Sequence, residues 1–452
     1  MILIIMNQGG TTLLCVPGFF TGRFLIPRRK NMKFKTPKGT YDILPEETGM
    51  WQEVESLIRD KCKLYRFDEI RTPYFEDTRV FARENDSSDM VNKEMYSFAS
   101  GRDSFTLRPE GTAGVIRSFD EHKMYGCMEL PAKLYYMGPM FRHERPQKGR
   151  QRQFTQFGAE VIGAKSPEID AETIAFGIDC VKQLGIKSIK VCINTLGDDE
   201  SRAAYRAALK DYFAPHIEGL CPDCHRRYEQ NPLRILDCKV DHENPLLKEA
   251  PRLSDYLNEE SRNYFNRVLE CLDALGIEYE VDDRLVRGLD YYTHTVFEVM
   301  STRPETGAQA TIFAGGRYDH LVDYFGGPEL SGMGFAIGLE RLIMLAKEEG
   351  FVCSEDKSDG VYIISLGETG TKPLEIAQTL RSEGYVAEAN LIKRSLKAQF
   401  KSADRSNAKY IVILGEDELK NGTVNIKRAS DRTQETVAME DLVAKINEWE
   451  GK

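Results

Sequence analysis

The stretch FRHERPQKGRQRQFTQFGAE, residues 141–160, decides the fold of this chain. Leu134–Met140 and Phe154–Ile162 alternate between apolar and polar residues, which predicts two β-strands. The polar residues between them predict a hairpin loop with Gly149 near its tip. The hairpin is rich in arginine, whose guanidinium group is a rigid, permanently charged fork suited to phosphate; the four are Arg142, Arg145, Arg150 and Arg152. Judged by charge alone, this hairpin could equally be a solvated loop that binds no phosphate.

This hairpin resembles motif 2 of the class II aminoacyl-tRNA synthetases. The resemblance implies that Arg142 contacts the α-phosphate of ATP and that Glu144 faces the adenine or its ribose. It also implies that the loop meets the acceptor end of tRNA, with Arg145, Gln147 and Arg150 as the candidate contacts.

Two further segments resemble the other motifs of that class. GMGFAIGLER, residues 332–341, resembles motif 3, a glycine-rich strand that runs into a helix, and implies that Arg341 contacts the γ-phosphate of ATP. Tyr65–Glu76 resembles motif 1, which forms the dimer interface in the family, although an ordinary helix–strand pair is an alternative interpretation. The resemblance thus implies a homodimer, and Mg²⁺ bound with ATP.

Three segments resemble sequences of the histidyl enzymes within this class: TLRPEGT at 106–112, LVRGLDYY at 285–292 and AGGRYD at 314–319. The resemblance implies that the ammonium group of histidine is held by Glu110, Thr112 and Gln156. It implies that Glu160 and Tyr292 hold the ring nitrogens, and that Tyr291 and Tyr318 line the pocket. Carboxylates suit both an ammonium and an imidazole N–H. For Glu160, a strand residue on a solvated face is the alternative.

The implied reaction is the ATP-dependent ligation of L-histidine to the 3′ end of tRNA(His) through a histidyl-adenylate. The carboxylate of histidine is already ionised at pH 7, so its attack on the α-phosphorus needs no side-chain base. Catalysis must then come from positioning and from stabilising charge on the phosphate oxygens. The candidates are Arg142, Arg287 and magnesium, although Arg287 could instead form a structural ion pair with Asp290.

The fold we expect is an α+β catalytic domain built on an antiparallel sheet at 32–349, with a helical insertion at about 197–275 that interrupts a run of strands. An α/β anticodon-binding domain follows at 358–452. Residues 1–31 form an N-terminal extension, for which a signal peptide, a targeting arm and translated upstream sequence all remain open.

Further elements follow from hydrophobic periodicity. We expect strands at Phe67–Pro73, Ser188–Ile193, Leu285–Met300, Ala308–Phe313, Val361–Leu366 and Tyr410–Leu414, and helices at Glu46–Leu64, Leu339–Lys347, Leu374–Arg381 and Leu391–Ala403. The last of these helices carries Lys393, Arg394, Lys397 and Lys401, for which we favour tRNA contact over a solvated face.

Composition restricts the class of protein. The chain has 452 residues, 41% hydrophobic, and a formal net charge of −10, which argues against a sequence-independent nucleic-acid coat but not against a local basic groove. It contains no apolar run long enough to span a bilayer, and its ten cysteines suit a reducing cytoplasm. A loose zinc-binding pattern is formed by Cys221, Cys224, Cys238 and His242. The alternative is that the cysteines are ordinary thiols, and we assign no metal ligand.

Two other functions compete. The regulatory subunit of ATP phosphoribosyltransferase reuses this catalytic fold but lacks the anticodon domain and loses catalytic residues, whereas here the C-terminal domain, Arg142, Arg287 and Arg341 are all present. A class II synthetase for proline or threonine is the second, and the signature at 287–292 argues against it.

Overall fold

The computed structural model describes residues 34–82, 90–236, 238, 240–241, 243–286, 291–304, 310–353 and 359–452. The described residues fall into two compact units. The first extends to Glu349, apart from Gly49–Glu53, which group with the second; the second otherwise begins at Gly350.

The first unit contains nine helices among its described residues: α1 Pro45–Leu64, α2 Thr112–Glu121, α3 Pro167–Lys182, α4 Asp199–Phe213, α5 Pro222–Gln230, α6 Pro245–Lys248, α7 Glu259–Ala274, α8 Leu321–Tyr324 and α9 Leu339–Glu348. Its strands are β1 Asp68–Glu69, β2 Phe75–Asp77, β3 Tyr96–Ser100, β4 Asp103–Leu107, β5 Ala132–Phe141, β6 Gln153–Ile162, β7 Ile189–Thr195, β8 Glu280–Val281, β9 Thr293–Ser301, β10 Thr311–Tyr318 and β11 Gly332–Gly338.

An eight-stranded sheet organises this unit, in the order β1-β5-β6-β11-β10-β9-β7-β8. All its neighbours are antiparallel except the two short edge strands, β1 beside β5 and β8 beside β7, which pair in parallel. The predicted antiparallel sheet is therefore confirmed, and so is the hairpin that joins β5 to β6. Its tip is the turn Gln147–Arg150, where Gly149 has a φ of +71°, a left-handed conformation that favours glycine.

Alternation along β6 gives the sheet two different faces. Phe157 packs edge-on against Phe176 of α3 and Phe335 of β11, with ring centroids 6.2 and 5.9 Å away, and these rings fill the core under α3. Because successive side chains of a strand point to opposite faces, Gln156 and Glu160 lie on the other face, where the sheet is open to a cavity.

A separate three-stranded sheet has the order β2-β4-β3. Its strands come between β1 and β5 in the chain. Phe75, Phe98 and Phe105 contact one another on it, with centroids 5.8–6.0 Å apart, yet Phe75 and Phe98 remain about half exposed. An apolar patch of this kind is typical of a surface that meets another protein.

The second unit is built on the five-stranded sheet β13-β12-β14-β15-β16. Its strands are β12 Val361–Ser365, β13 Ala387–Ala389, β14 Tyr410–Leu414, β15 Thr423–Arg428 and β16 Gln434–Ala438, and its helices are α10 Lys372–Ser382, α11 Leu396–Arg405, α12 Glu416–Asn421 and α13 Leu442–Glu450. The strands β13, β12 and β14 are parallel, whereas β15 and β16 are antiparallel to their neighbours. This confirms an α/β C-terminal fold.

Four predicted boundaries were wrong. The helix expected at Leu391–Ala403 begins only at Leu396, because Ser395 caps it by accepting the backbone N–H of Ala398; Lys393 and Arg394 therefore precede the helix. The strand expected at Phe67–Pro73 pairs with β5 over two residues only, plus one hydrogen bond from Ile70 to Tyr135.

The other two errors lie next to the cavity. The strand expected to begin at Leu285 begins at Thr293, and residues 287–290 are outside the described ranges. The strand expected at 308–313 runs from Thr311 to Tyr318, because the central sheet accommodates Gly315 and Gly316 in register with β9 and β11. None of the described helices is both long and apolar enough to cross a membrane.

Candidate active site

A cavity of about 430 Å³ lies on the open face of the main sheet, over β6, β10 and β11. It is lined by most of the residues that the sequence had singled out, namely Glu110, Thr112, Arg142, Glu144, Arg150, Gln156, Glu160, Tyr291, Tyr292, Tyr318 and Arg341. These side chains come from segments spread over more than two hundred residues, and the sheet brings them together.

Glu160 is a completely buried carboxyl at one end of the cavity. The hydroxyl of Thr112 donates to its Oε1 at 2.6 Å, and the hydroxyl of Tyr318 donates to its Oε2 at 2.7 Å. Burial raises the pKa of Glu160 to about 8, although these two hydrogen bonds lower it. The solvated-face alternative is therefore wrong for this residue.

Glycine makes room for that carboxyl. Gly334 is the partner of Glu160 across the β6–β11 pair, and a methyl group added at Gly334 would overlap the carboxylate. The glycines of the 332–341 segment thus let a buried side chain approach the backbone closely.

A second carboxyl, Glu110, lies beside Glu160 and is held by the beginning of α2. Its Oε2 accepts the backbone N–H of Thr112 at 2.6 Å, and its Oε1 accepts that of Ala113 at 2.9 Å. Gln156 is also buried in this part of the cavity, where its Oε1 accepts the hydroxyl of Tyr136 at 3.3 Å. Three of the predicted ammonium contacts, Glu110, Thr112 and Gln156, are therefore neighbours.

Aromatic rings close this end of the cavity. Tyr291 lies 4.8 Å from Tyr292 and 5.9 Å from Tyr318, measured between ring centroids. Tyr292 and Tyr318 are buried. The structure gives Tyr318 more than a lining role, because its hydroxyl is bonded to Glu160.

The other end of the cavity is basic. Arg142 is fixed by a hydrogen bond from its Nε to the carbonyl oxygen of Pro109, 2.8 Å away, and its guanidinium lies 5.3 Å from the ring centroid of Phe154. Glu144 pairs with Arg142 at 3.7 Å and with Arg150 at 3.3 Å. Arg150, a candidate tRNA contact, thus faces the same cavity as Arg142.

Arg341 completes this basic end. It is buried, its NH1 donates to the carbonyl oxygen of Thr311, and the tip of the hairpin at Gly149 lies against it. Burial, together with the nearby positive charge of Arg150, lowers the pKa of Arg341. An anion bound beside Arg341 and Arg150 would offset the repulsion between these two positive charges.

The remaining predicted residues lie elsewhere. Arg145 and Gln147 are exposed on the hairpin loop. Arg287, the predicted catalytic arginine, lies outside the described residues, as does its alternative partner Asp290.

Three residues at the cavity were missed by sequence reasoning. Tyr136 is buried next to Glu160, and burial together with the charge of Glu160 raises the pKa of Tyr136. In the sequence, only the alternation along β5 could have indicated that the Tyr136 side chain points into the cavity. Phe154 supports the guanidinium of Arg142. Glu340, immediately before the predicted Arg341, accepts the backbone N–H of Thr155 at 2.8 Å, and burial raises its pKa to about 7.

One arginine in the 314–319 signature has a structural role. Arg317 points away from the cavity, and its Nε donates at 2.9 Å to Asp170 of α3; both side chains are completely buried. Asp170 also accepts the hydroxyls of Thr295 and Tyr264. This network fixes β10, and with it the adjacent Tyr318.

The cavity therefore has two chemically different ends. Carboxyl, amide and phenol groups at one end suit a small cationic ligand with ring N–H groups, and three arginines at the other suit a polyphosphate.

Comparison with known proteins agrees with this geometry. Residues 39–342 match the family model described as histidyl-tRNA synthetase, and residues 360–449 match the model of an anticodon binding domain. The histidine–tRNA ligase of Lysinibacillus sphaericus (strain C3-41) is 51% identical over 415 residues, which cover 91% of this chain and 98% of that protein. The histidine–tRNA ligase of Bacillus subtilis (strain 168) is 49% identical over 416 residues, with coverages of 91% and 98%.

A solved structure is also similar. Apo histidyl-tRNA synthetase of S. aureus matches with a TM-score of 0.78 and 40% identity, over 91% of this chain and 99% of that one.

Proposed function

The chain belongs to the histidyl-tRNA synthetase family, and from this premise we propose how its side chains divide the work of charging tRNA(His) with histidine. The reaction is the ATP-dependent ligation of L-histidine to tRNA(His), with a histidyl-adenylate as the intermediate. The observation that carries the assignment of roles is the two-ended cavity, with Glu160 buried at one end and Arg142, Arg150 and Arg341 at the other.

Glu160 recognises the imidazole ring of histidine. A buried carboxyl that is already oriented by Thr112 and Tyr318 presents a fixed polar partner to a ring nitrogen. An analogue without that nitrogen leaves the carboxyl unpaired, and such sites discriminate by about 10⁴–10⁵. Tyr292 is the second contact to the ring nitrogens, and Tyr291 and Tyr318 form the wall.

Glu110, Thr112 and Gln156 hold the ammonium group. Glu110 is fixed by two backbone N–H groups at the start of α2, so it is positioned before substrate arrives. This places the carboxylate of histidine toward the basic end of the cavity.

Arg142 neutralises the α-phosphate during attack by the histidine carboxylate, and Arg341 contacts the γ-phosphate. The hydrogen bond that Arg142 donates to the carbonyl oxygen of Pro109 and the contact with the ring of Phe154 hold Arg142 in one orientation. A positive charge fixed in this way can stabilise a transition state. Glu144 faces the nucleoside. Arg287, whose role rests on the signature at 285–292, is the second catalytic arginine.

Mg²⁺ accompanies ATP. Glu340 fits such an ion, because its Oε2 is buried and lacks a protein hydrogen-bond partner among the described residues, while its Oε1 is fixed by Thr155. Mg²⁺ prefers carboxylate and phosphate oxygens, and it supplies charge neutralisation of the phosphates.

The tRNA meets the chain at two places. Arg145 and Gln147, exposed on the hairpin loop, contact the acceptor end, and Arg150 contributes from its inner side. The module that matches at 360–449 binds the anticodon. We assign 32–349 to the catalytic domain, with its insertion at about 197–275, and 358–452 to the anticodon domain.

The chain forms a homodimer in the cytoplasm. The support is the exposed aromatic patch at Phe75 and Phe98, of which Phe75 belongs to the segment Tyr65–Glu76. Sedimentation velocity should give twice the chain mass, and Phe75→Ser together with Phe98→Ser should shift the protein toward monomer.

The roles are tested by separating the two steps. Histidine-dependent exchange of pyrophosphate into ATP, measured against all twenty amino acids, should be confined to histidine. Arg287→Ala should slow this exchange sharply, and near-normal exchange would exclude a catalytic role. Arg145→Ala should leave exchange intact while raising the KM for tRNA.

A further inference from the structure

Three cysteines and one aspartate form a compact cluster at positions 221–241. This part of the chain is separate from the segments that line the active-site cavity. Cys221 and Cys224 begin α5, while Cys238 and Asp241 follow the short 3₁₀ turn Pro232–Ile235. The sulfur atoms and a carboxylate oxygen of the four residues all lie within 4.8 Å of one another.

Two distances within the cluster are close to those between neighbouring ligands of a tetrahedral metal ion. The sulfurs of Cys221 and Cys238 are 3.6 Å apart, and the sulfur of Cys238 is 3.4 Å from Oδ2 of Asp241. A tetrahedral zinc ion with ordinary bond lengths separates two sulfurs by about 3.8 Å and a sulfur from an oxygen by about 3.5 Å. The observed separations agree with both.

The surroundings hold these groups in place. Cys224 and Cys238 are buried in an apolar cluster with Leu220 and Ile235. Asp241 is oriented by the backbone N–H of Cys221, which donates to Oδ2 at 3.0 Å. A carboxylate directed at three sulfurs in a largely apolar environment is a favourable arrangement once a cation lies between them.

We propose that Cys221, Cys224, Cys238 and Asp241 bind one structural Zn²⁺ ion. Three of the four ligands are soft thiolates and only one is a hard carboxylate oxygen, and such a set suits zinc and not Mg²⁺ or Ca²⁺, which prefer oxygen ligands throughout. All four positions come from the protein, and a closed ligand set is typical of a structural site. The thiols release their protons to solvent as the metal binds.

Asp241 takes the place that the sequence pattern had suggested for His242. His242 lies outside the described residues, and the cluster is complete without it.

The proposed zinc ion links the inserted helical region to the proposed histidine pocket through a shared apolar cluster. The apolar cluster that contains Cys224 and Cys238 also contains Leu285 and Tyr292, and Tyr291 packs against it. Tyr291 and Tyr292 line the active-site cavity. The metal therefore stabilises the apolar cluster on which these two cavity residues pack.

Elemental analysis of the full-length protein, purified untagged under reducing conditions and dialysed against trace zinc, tests the proposal. We expect one zinc per chain, and reconstitution with Co²⁺ should give the intense absorption of tetrahedral thiolate-bound cobalt. Cys238→Ser and Asp241→Ala should each lower zinc content at least tenfold, whereas Cys271→Ser, outside the cluster, should not. A wild-type protein without zinc, or one whose Cys221 and Cys238 are joined as a disulfide, would overturn the site.

The cobalt spectrum of the wild-type chain needs no variant, so the test stands even if Cys238→Ser fails to fold. If Asp241→Ala keeps its zinc while His242→Ala loses it, the assignment of Asp241 is wrong. Removal of zinc by a chelator should also lower the melting temperature and raise the KM for histidine more than that for ATP; equal effects on both would overturn the link to the pocket.

Discussion

Glu160 lies directly over Gly334, its cross-strand partner, and the missing side chain of Gly334 is the space that the carboxylate occupies. One strand belongs to the hairpin of residues 141–160 and the other to the glycine-rich segment of residues 332–341. The two motifs that mark the enzyme class therefore also form the pair of strands on which the buried Glu160 carboxyl, proposed to bind histidine, is placed.

Glu160→Gln should raise the KM for histidine in pyrophosphate exchange by about 5- to 150-fold, because a buried hydrogen-bonding group that is left without its partner costs about 1–3 kcal/mol. The dissociation constant for ATP should stay within about twofold, since ATP binds at the other end of the cavity. The surface variant Glu172→Gln serves as the control. Equal losses for histidine and ATP would mean that Glu160 is structural.

Tyr318→Phe should weaken histidine binding by about twofold to tenfold, because an intramolecular hydrogen bond contributes about 0.5–1.5 kcal/mol. The ring remains, so the pocket keeps its shape. Tyr324→Phe, which changes an exposed tyrosine, is the matched control. If Tyr318 acts through Glu160, its loss should be much smaller in a Glu160→Gln background; additive losses would contradict that coupling.

The ligand-free protein should become less stable as pH rises from about 5 to 8. Burial raises the pKa of Glu160 to about 8 and that of Glu340 to about 7, so the folded chain holds protons that the unfolded chain releases. Their contribution to stability is fully present below the unfolded pKa values and is lost as pH rises through the folded ones, with a slope of at most about 1.4 kcal/mol per pH unit for each group.

Urea unfolding at several pH values measures this effect. Glu160→Gln and Glu340→Gln should each flatten the decline, Glu340→Gln up to about pH 7 and Glu160→Gln up to about pH 8. A profile that runs parallel to the wild type in both variants would show that neither carboxyl is responsible.

Arg142→Lys should slow pyrophosphate exchange by about 10²-fold in kcat, because a lysine keeps the charge but loses the fixed planar fork. The KM for histidine should change little. The hydrogen bond to Pro109 and the contact with Phe154 orient the planar guanidinium, and a lysine of the same charge has no planar fork to be held in that orientation. The exposed Arg102→Lys is the control, and a rate within a factor of three of wild type would exclude Arg142 from transition-state stabilisation.

The local hydrophobic pattern predicted which helices and strands form, but it did not predict where all of them begin and end. The alternation around residues 134–162 predicted β5 and β6 within a few residues, because a half-buried strand must repeat every two positions. The beginning of α11 was missed by five residues, since its position depends on the cap at Ser395 and not on apolar spacing.

The sequence by itself predicted the enzyme class and most of the residues that line the cavity, because motifs such as FRHE and GLER are contiguous and carry their chemistry in residue type. Only the tertiary structure decided how those residues meet. Glu160 is bonded to Thr112, 48 positions away, and to Tyr318, 158 positions away, and Arg150 of the hairpin turns inward beside Arg341. Strand register and burial set these contacts, and neither is local in the chain: a carboxyl acquires its raised pKa and its donors only when distant strands close over it.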